Sequence, residues 1–300
     1  MKKKGNLIQR VKKYRTCYLM MLPFMLIFVV FTVFPVIATV ILSFTRYNVL
    51  EKPVFIGLQN YTNLFFADDV FPTAVKNTII FAVVTGPVGY VLCFALAWMI
   101  NDLPHFWRKF LTLAFYLPSV AGNVFAIWLI IFDGDIFGYL NSILLQLGFI
   151  REPIQWLIDP EYMLIPVVIV QLWMSMGTSF LTMRAGFGTV DRQYYEAAAI
   201  DGVKNRFQEL WYVTIPMMAP HLMLSAILSI TAAFSSYNVA TVLTGFPSTN
   251  YATHTVMHHM IDYAYIRYDR GYACSIATLL FLACYLINIA VQRGLRKVGR

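Results

Sequence analysis

Charge is what this 300-residue sequence has least of: 13% of its residues are Asp, Glu, Lys or Arg, against 59% hydrophobic and 16% aromatic. So little charge excludes an ordinary soluble domain, in which about a quarter of residues are charged. No G-x-x-x-x-G-K-[ST] phosphate loop occurs, so the chain has no ATPase motif of that kind. Cys17, Cys93, Cys274 and Cys284 show no C-x-x-C spacing and lie mostly in apolar runs, which makes them packing residues rather than a disulfide framework. His254, His258 and His259 include an i, i+4 pair, yet no H-E-x-x-H pattern and too few ligands for zinc, so no metal site is assigned. Low-complexity linkers, an obvious internal repeat and an inserted soluble domain are also missing.

What is there is apolar runs. Crossing a bilayer core of ~30 Å takes about 20 largely apolar residues in a helix. Six runs qualify: 18–44, 75–100, 110–132, 162–187, 215–243 and 272–291. The first is too long for a signal-peptide h-region and no A-x-A cleavage site follows it, so it reads as a retained span. The expected fold is an all-α membrane protein, a single domain over 1–300 with six transmembrane helices. The segment GYLNSILLQLGFI, with Leu140, Ile143, Leu144 and Leu147 at helical spacing, is too short to cross and is expected to lie on the outer surface.

Six spans put both termini on one side. Lys2, Lys3, Lys4, Arg10, Lys12, Lys13 and Arg15 at one end, and Arg293, Arg296, Lys297 and Arg300 at the other, make that side cytoplasmic. Of the 23 Lys and Arg, only Arg46, Lys52, Lys76, Arg151, Arg267 and Arg270 fall outside, leaving 17 within. Of the 15 acids, only Asp102, Asp191, Glu196, Asp201 and Glu209 fall inside, so the formal +8 divides into +12 within and −4 without. The basic excess is a topological signature and no sign of nucleic-acid binding.

That topology places YEAAAIDGVKNRFQELWYVTIP, residues 195–216, in a cytoplasmic loop between the fourth and fifth runs. Its chemistry is that of a short helix–turn–helix. Asp191 is an N-cap candidate, Glu196 complements the positive helix end, and Ala197, Ala198 and Ala199 favour helix. Gly202 breaks it. A second amphipathic turn carries Phe207, Leu210 and Trp211, and Pro216 suits the first turn of the next span. The stretch is either an interfacial connector or a docking element for a soluble partner.

Glu196-Ala197-Ala198, then Asp201-Gly202, then Ile215-Pro216 resembles the EAA loop of ABC-importer permeases. The lead-in LTMRAGFGTVDRQYYEAAAIDGV resembles the form in carbohydrate-uptake permeases of the maltose and glycerol-3-phosphate transporter type, as do GLQNY at 57–61 and NTIIFAVV from Asn77. Two positions depart from the pattern: Asp191 stands where members often carry Pro, and Val203 where alanine is usual. The resemblance implies the type I ABC-importer permease fold in a bacterial or archaeal cytoplasmic membrane. It also implies that Glu196, Ala197, Ala198, Asp201 and Gly202 dock into a nucleotide-binding subunit. ATP and Mg would then be bound by partner subunits and no cofactor by this chain. The implied partners are a sister permease, two nucleotide-binding ATPase subunits and an extracytoplasmic solute-binding protein. The long N-terminal span and GLQNY look like the first permease of a heterodimeric pair, with a homodimer as the alternative.

Residue chemistry gives an independent argument. Between their ends the second, third, fifth and sixth runs contain no Asp, Glu, Lys or Arg; Arg184 lies near the cytoplasmic end of the fourth, and His221 near the start of the fifth. Ion-coupled carriers usually place ionisable groups at membrane depth, so such a carrier is the disfavoured alternative class. An intramembrane hydrolase would need a nucleophile with its base or a metal cluster. A path without buried cations suits a neutral sugar, recognised by amides, hydroxyls and aromatic faces; a glycerol-phosphate-type solute is the alternative within the family. The fourth run offers Gln171, Trp173, Ser175 and Thr178, and the fifth Phe234, Ser235, Ser236, Tyr237 and Asn238. By analogy these stretches correspond to those lining the sugar site of the maltose-type permease. The competing reading is that Ser, Thr and Asn bind helices to one another and Trp packs or marks an interface.

Overall fold

The computed structural model describes residues 14–121, 124–235 and 237–298, and the chain there is overwhelmingly helical. Helix α1, Arg15–Leu42, is apolar throughout and passes through a π turn at Val29–Val33. Pro35 follows that turn; a proline ring nitrogen cannot donate to the carbonyl four residues back, and a widened turn accommodates the mismatch. After α1 comes a two-stranded antiparallel ribbon, Thr45–Arg46 with Val54–Phe55, in which Thr45 opposes Phe55. Helix α2 is Gln59–Phe66 and α3, the longest, is Phe71–Asn101.

The third run is not one helix. It divides into α4, His105–Val120, and α5, Phe125–Ile131, with Ala121 extended at ψ 115°. Helix α6 is Tyr139–Gln146; Leu140 and Leu144 pack inward while Ile143 and Leu147 face out. The fourth run is also broken, into α7, Leu164–Ser175, and α8, Thr178–Phe187, bent by 41° at the Met176–Gly177 link. Helix α9 is Arg192–Ile200, α10 is Arg206–Glu209, and the fifth run comprises α11, Ala219–Ser235, and α12, Tyr237–Thr244. Helix α13 is Val256–Ile261 and α14, Arg270–Val298, closes the chain.

Among the described residues four helices are long and apolar enough to cross a membrane, five if the bent α7–α8 pair is counted as one span. The third run, expected to cross as one helix, fails that test because of its interruption. Lys2, Lys3, Lys4, Arg10, Lys12, Lys13, Ser236 and Arg300 lie outside the described residues.

Side chains pack in three clusters. Near the 191–216 loop, Cys93, Ala97 and Ile100 of α3 meet Phe180, Met183 and Phe187 of α8, with Met218 and Leu222. Toward the other end, Phe81 of α3 joins Val167 and Val170 of α7, Val239, Ala240 and Leu243 of α12, Phe132 and Trp156. At that far end Leu64, Phe71, Ala74, Val256, Tyr272 and Ile276 lock α2, α3, α13 and α14 together. All four cysteines are free thiols. In α1, by contrast, the apolar surface is almost entirely exposed: Met20, Phe24, Phe31 and Phe34 each show more than 65%.

Candidate coupling surface and solute path

The 191–216 loop is built from local signals. Asp191 is the N-cap of α9, its carboxylate accepting from Gln193 N at 3.2 Å. At the other end Gly202 takes φ +95°, with Val203 N donating to Ala198 O at 3.0 Å and Gly202 N to Ala199 O at 3.3 Å. That pair of bonds is a Schellman turn with glycine at its left-handed position. A Cβ at Gly202 would meet no atom within 4 Å, so the position needs glycine for backbone conformation and not for room. Asn205 caps α10 through Gln208 N, and Gln208 Oε1 accepts from Lys204 N, both at 2.9 Å. The second arm does not stop at α10: it continues through a π turn at Leu210–Thr214 into Pro216 and the fifth run.

Helix α9 buries no residue. Among the described residues Glu196 pairs only with Arg192 one turn earlier, at 3.4 Å, and both are largely exposed. Ala197 and Ala199 are exposed and Ala198 half-buried, as Asp201 and Gly202 face solvent. Ile200 is 88% exposed, an aliphatic side chain with nothing of this chain over it. The loop is nevertheless fixed at its root. Arg206 forms an ion pair with Asp102 at 2.7 Å, Phe207 lies against Trp98 with centroids 5.3 Å apart, and Tyr195 OH is 3.0 Å from Thr214 Oγ1. Two of these three contacts are to the end of α3. The arrangement is an exposed knob on a stiff base.

The breaks in the third and fourth runs meet. Gly177 comes so near Ser119 that a Cβ added there would lie 2.6 Å from Ser119 Cβ. Interrupted helices at membrane depth are tolerated where backbone is buried in protein or lines a cavity, and in transporters they mark binding sites. Around this crossing the predicted path residues separate into two groups. Trp173 stacks edge-on to Trp128 at 5.4 Å and is half-buried, while Thr178 and Asn238 are exposed and Phe234 is half-buried beside α3. Tyr237 is half-buried against His258 at 5.9 Å. Ser175, in contrast, is engaged in packing: its Oγ bonds Leu172 O at 2.7 Å, its carbonyl accepts from Cys93, and its side chain sits on Gly89 of α3. Ser236 lies outside the described residues. Serine also acts as a helix fastener at Ser179, which exchanges bonds with Ser225 and Ser229 across α8 and α11.

A polar node at the far end had no precedent in the sequence reading. Asp68 Oδ1 accepts from Val70 N and Phe71 N, capping α3, while Oδ2 accepts from His259 Nε2 at 2.9 Å, Tyr272 OH at 2.9 Å and Tyr263 OH at 3.2 Å. Burial pushes the Asp68 carboxyl up, but His259 and the Tyr272 hydroxyl outweigh it and leave the group below the usual carboxylate value. His259 Nδ1 in turn lies 3.3 Å from His254 Nε2, with the tautomer deciding which ring donates. Burial, then His258 and His259, pushes His254 down to about 3, and burial holds His258 at about 4. His259 is thus tied to a buried carboxylate, with His254 beside it and His258 held by Thr255 and Thr241. The partners lie 191, 195 and 204 residues from Asp68, which is why no local motif announced them.

Comparison with known proteins places this architecture. Residues 78–298 match the family of binding-protein-dependent transport system inner membrane components, and the chain belongs to that family. Its relatives are permeases of ABC transporters. It is 28% identical to a probable ABC transporter permease, YesP, of Bacillus subtilis, across 95% of this chain and 94% of that protein. It is 29% identical to the arabinooligosaccharides permease AraP of the same organism, over 91% and 86% of the two chains. Against the trehalose/maltose permease MalF of Thermococcus litoralis the identity is 28% over 94% and 96%. The fold matches that of a chain in the crystal structure of a bacterial ABC transporter for the acidic polysaccharide alginate, at TM-score 0.78 and 20% identity over 98% and 99% of the two chains.

Proposed function

We propose that this chain is the permease subunit of an ATP-driven importer, forming half of the pathway for a neutral sugar or oligosaccharide. The observation that carries the reading is the 191–216 loop: an exposed α9 with a Schellman turn, rooted on α3 and joined to the fifth run through the π turn at Leu210–Thr214. Its second arm packs Leu210, Val213 and Ile215 toward the core, whereas α9 contributes none of its residues to it. Glu196, Ala197, Ala198, Asp201 and Gly202 present the surface for a nucleotide-binding subunit, which binds ATP and Mg, and closure of two such subunits pushes the loop as a rigid body. The chain forms one domain with six spans, the third crossing as α4 and α5 in series, and both termini cytoplasmic. It pairs with a sister permease, and a solute-binding protein delivers the sugar from outside.

The solute passes where the interrupted runs meet. Trp173, Phe234 and Tyr237 offer aromatic faces, and Thr178, Ser236 and Asn238 offer hydroxyl and amide groups; Ser175 contributes to the wall from behind. The neutral-solute reading is supported by the lack of Lys or Arg between the ends of the second, third, fifth and sixth runs. The test is uptake by proteoliposomes containing the complete complex. Uptake is expected to stop without ATP, to persist when ion gradients are collapsed, and to favour neutral over acidic oligosaccharides. Persistence without ATP refutes the pump; exclusive uptake of anionic solutes refutes the neutral path.

A further inference from the structure

At the loop-bearing end, α4 and α8 form an open groove of about 630 Å³ whose rim is cationic. Arg108, Lys109 and Arg184 all line it, three permanent positive charges around one space. None takes part in any ion pair among the described residues, and the acid nearest in sequence, Asp102, is already bound to Arg206. Their hydrogen bonds go to neutral acceptors: Arg108 Nε and Nη2 to Leu103 O at 3.2 and 3.0 Å, and Arg184 Nη1 to Asn101 Oδ1 at 3.3 Å. Half-buried guanidinium groups facing one another without a counter-charge repel, and an anion between them relieves that cost.

The rest of the groove says which anion. Helix α4 starts at the loop end and runs inward, whereas α8 runs outward and ends there, so the cations of both helices sit at the rim. Leu113, Tyr116 and Leu181, about one to two turns deeper, form the floor. Beside the rim, Phe106, Trp107 and Phe110 are 71%, 54% and 54% exposed and stack edge to face in sequence. Exposed aromatics at this level are the mark of the membrane–water interface. A charged rim over an apolar floor at that depth is complementary to a molecule with a phosphate head and an acyl tail. We propose that this groove is a binding site for an anionic phospholipid, its phosphate held by Arg108 and Arg184 with Lys109 at the edge.

The inference rests on the permease reading only for the side that faces the cytoplasm, and its test does not use transport. The complete complex is placed in nanodiscs of phosphatidylglycerol and phosphatidylcholine, and lipids retained after detergent exchange are counted by native mass spectrometry. The wild type is expected to retain phosphatidylglycerol selectively. Arg108→Gln and Arg184→Gln should each weaken retention about fivefold and together about 25-fold, while Arg293→Gln on the last span leaves it unchanged. Arg108→Lys and Arg184→Lys, which keep the charge, should retain the lipid and so separate lost binding from misfolding. Equal retention in the double Gln variant overturns the proposal. So does displacement of the lipid by millimolar inorganic phosphate, which would make this a site for the free anion. Loss of a partner subunit instead of lipid would assign the cations to a partner's carboxylate.

Discussion

Replacing Gly202 with alanine isolates one physical quantity. The φ of +95° costs an L-residue about 1–2 kcal/mol relative to glycine. No atom lies within 4 Å of the added Cβ, so there is no clash to enlarge the figure and no contact to offset it. The expected penalty therefore equals the conformational term, a factor of about 5 to 30 in the population of the native turn. Because α9 buries nothing, this loss should leave membrane insertion intact. Asn adopts positive φ more readily, so Gly202→Asn should recover much of what alanine loses. The assay is co-purification of the nucleotide-binding subunits with Gly202→Ala and Gly202→Asn, followed by ATPase activity stimulated by loaded binding protein. Full activity in the alanine variant would refute the docking role. Equal failure of both variants would refute the conformational argument and point to the side chain itself obstructing the interface.

Gly177→Ala should push α4 from α8 and cost about 1–3 kcal/mol in thermal unfolding, and a simultaneous Ser119→Gly should restore most of it; failure of that rescue would place the strain elsewhere. Asp68→Asn removes a charge that accepts five hydrogen bonds and should destabilise by at least about 2 kcal/mol, seen as a lowered unfolding midpoint in detergent. His254 and His258, held near 3 and 4, stay neutral when folded while the unfolded chain binds protons below about 6.5. Their contribution is thus complete above about pH 6.5 and falls by about 1–2 kcal/mol each by pH 5. Asp68 adds its loss only below about pH 4. Unfolding midpoints at pH 7 and pH 5 should differ less in a His254→Asn, His258→Gln double variant than in the wild type. Asp102→Asn should cost no more than about 1 kcal/mol by the same measurement, since Arg206 is mostly exposed.

The loop was readable because each of its signals acts over a few residues: an Asx cap at 191, alanines, a glycine two residues past the helix end and a proline at the next. Apolar runs were readable for the same reason, since composition alone says which segments avoid water. What composition hides is continuity. Ala121 and Gly177 lie within uniformly apolar runs, and only the packing of one break on the other shows that neither run is a straight rod. The spacing of the histidines excludes a metal motif but does not announce that His259 is bound to Asp68, 191 residues away and with no local feature to single it out. Ser175 reads as a path residue by type, and its packing against Gly89 is set by a helix that sequence could not place beside it. The continuation of the second loop arm into the fifth run through a π turn was likewise invisible, because hydropathy does not register how turns are wound.

Helix α3 has 31 residues, about 46 Å at 1.5 Å per residue. One tip is held by the Asp68 carboxylate, and the other is clasped by the 191–216 loop through Asp102 and Trp98. Midway, Gly86 and Gly89 bring its backbone close to Ala233 and Ser175 of the two neighbouring runs. One continuous element thus ties the root of the exposed loop to the carboxylate node at the opposite end, and Pro87, which lacks the N–H for the backbone ladder, sits near its centre beside those two contacts.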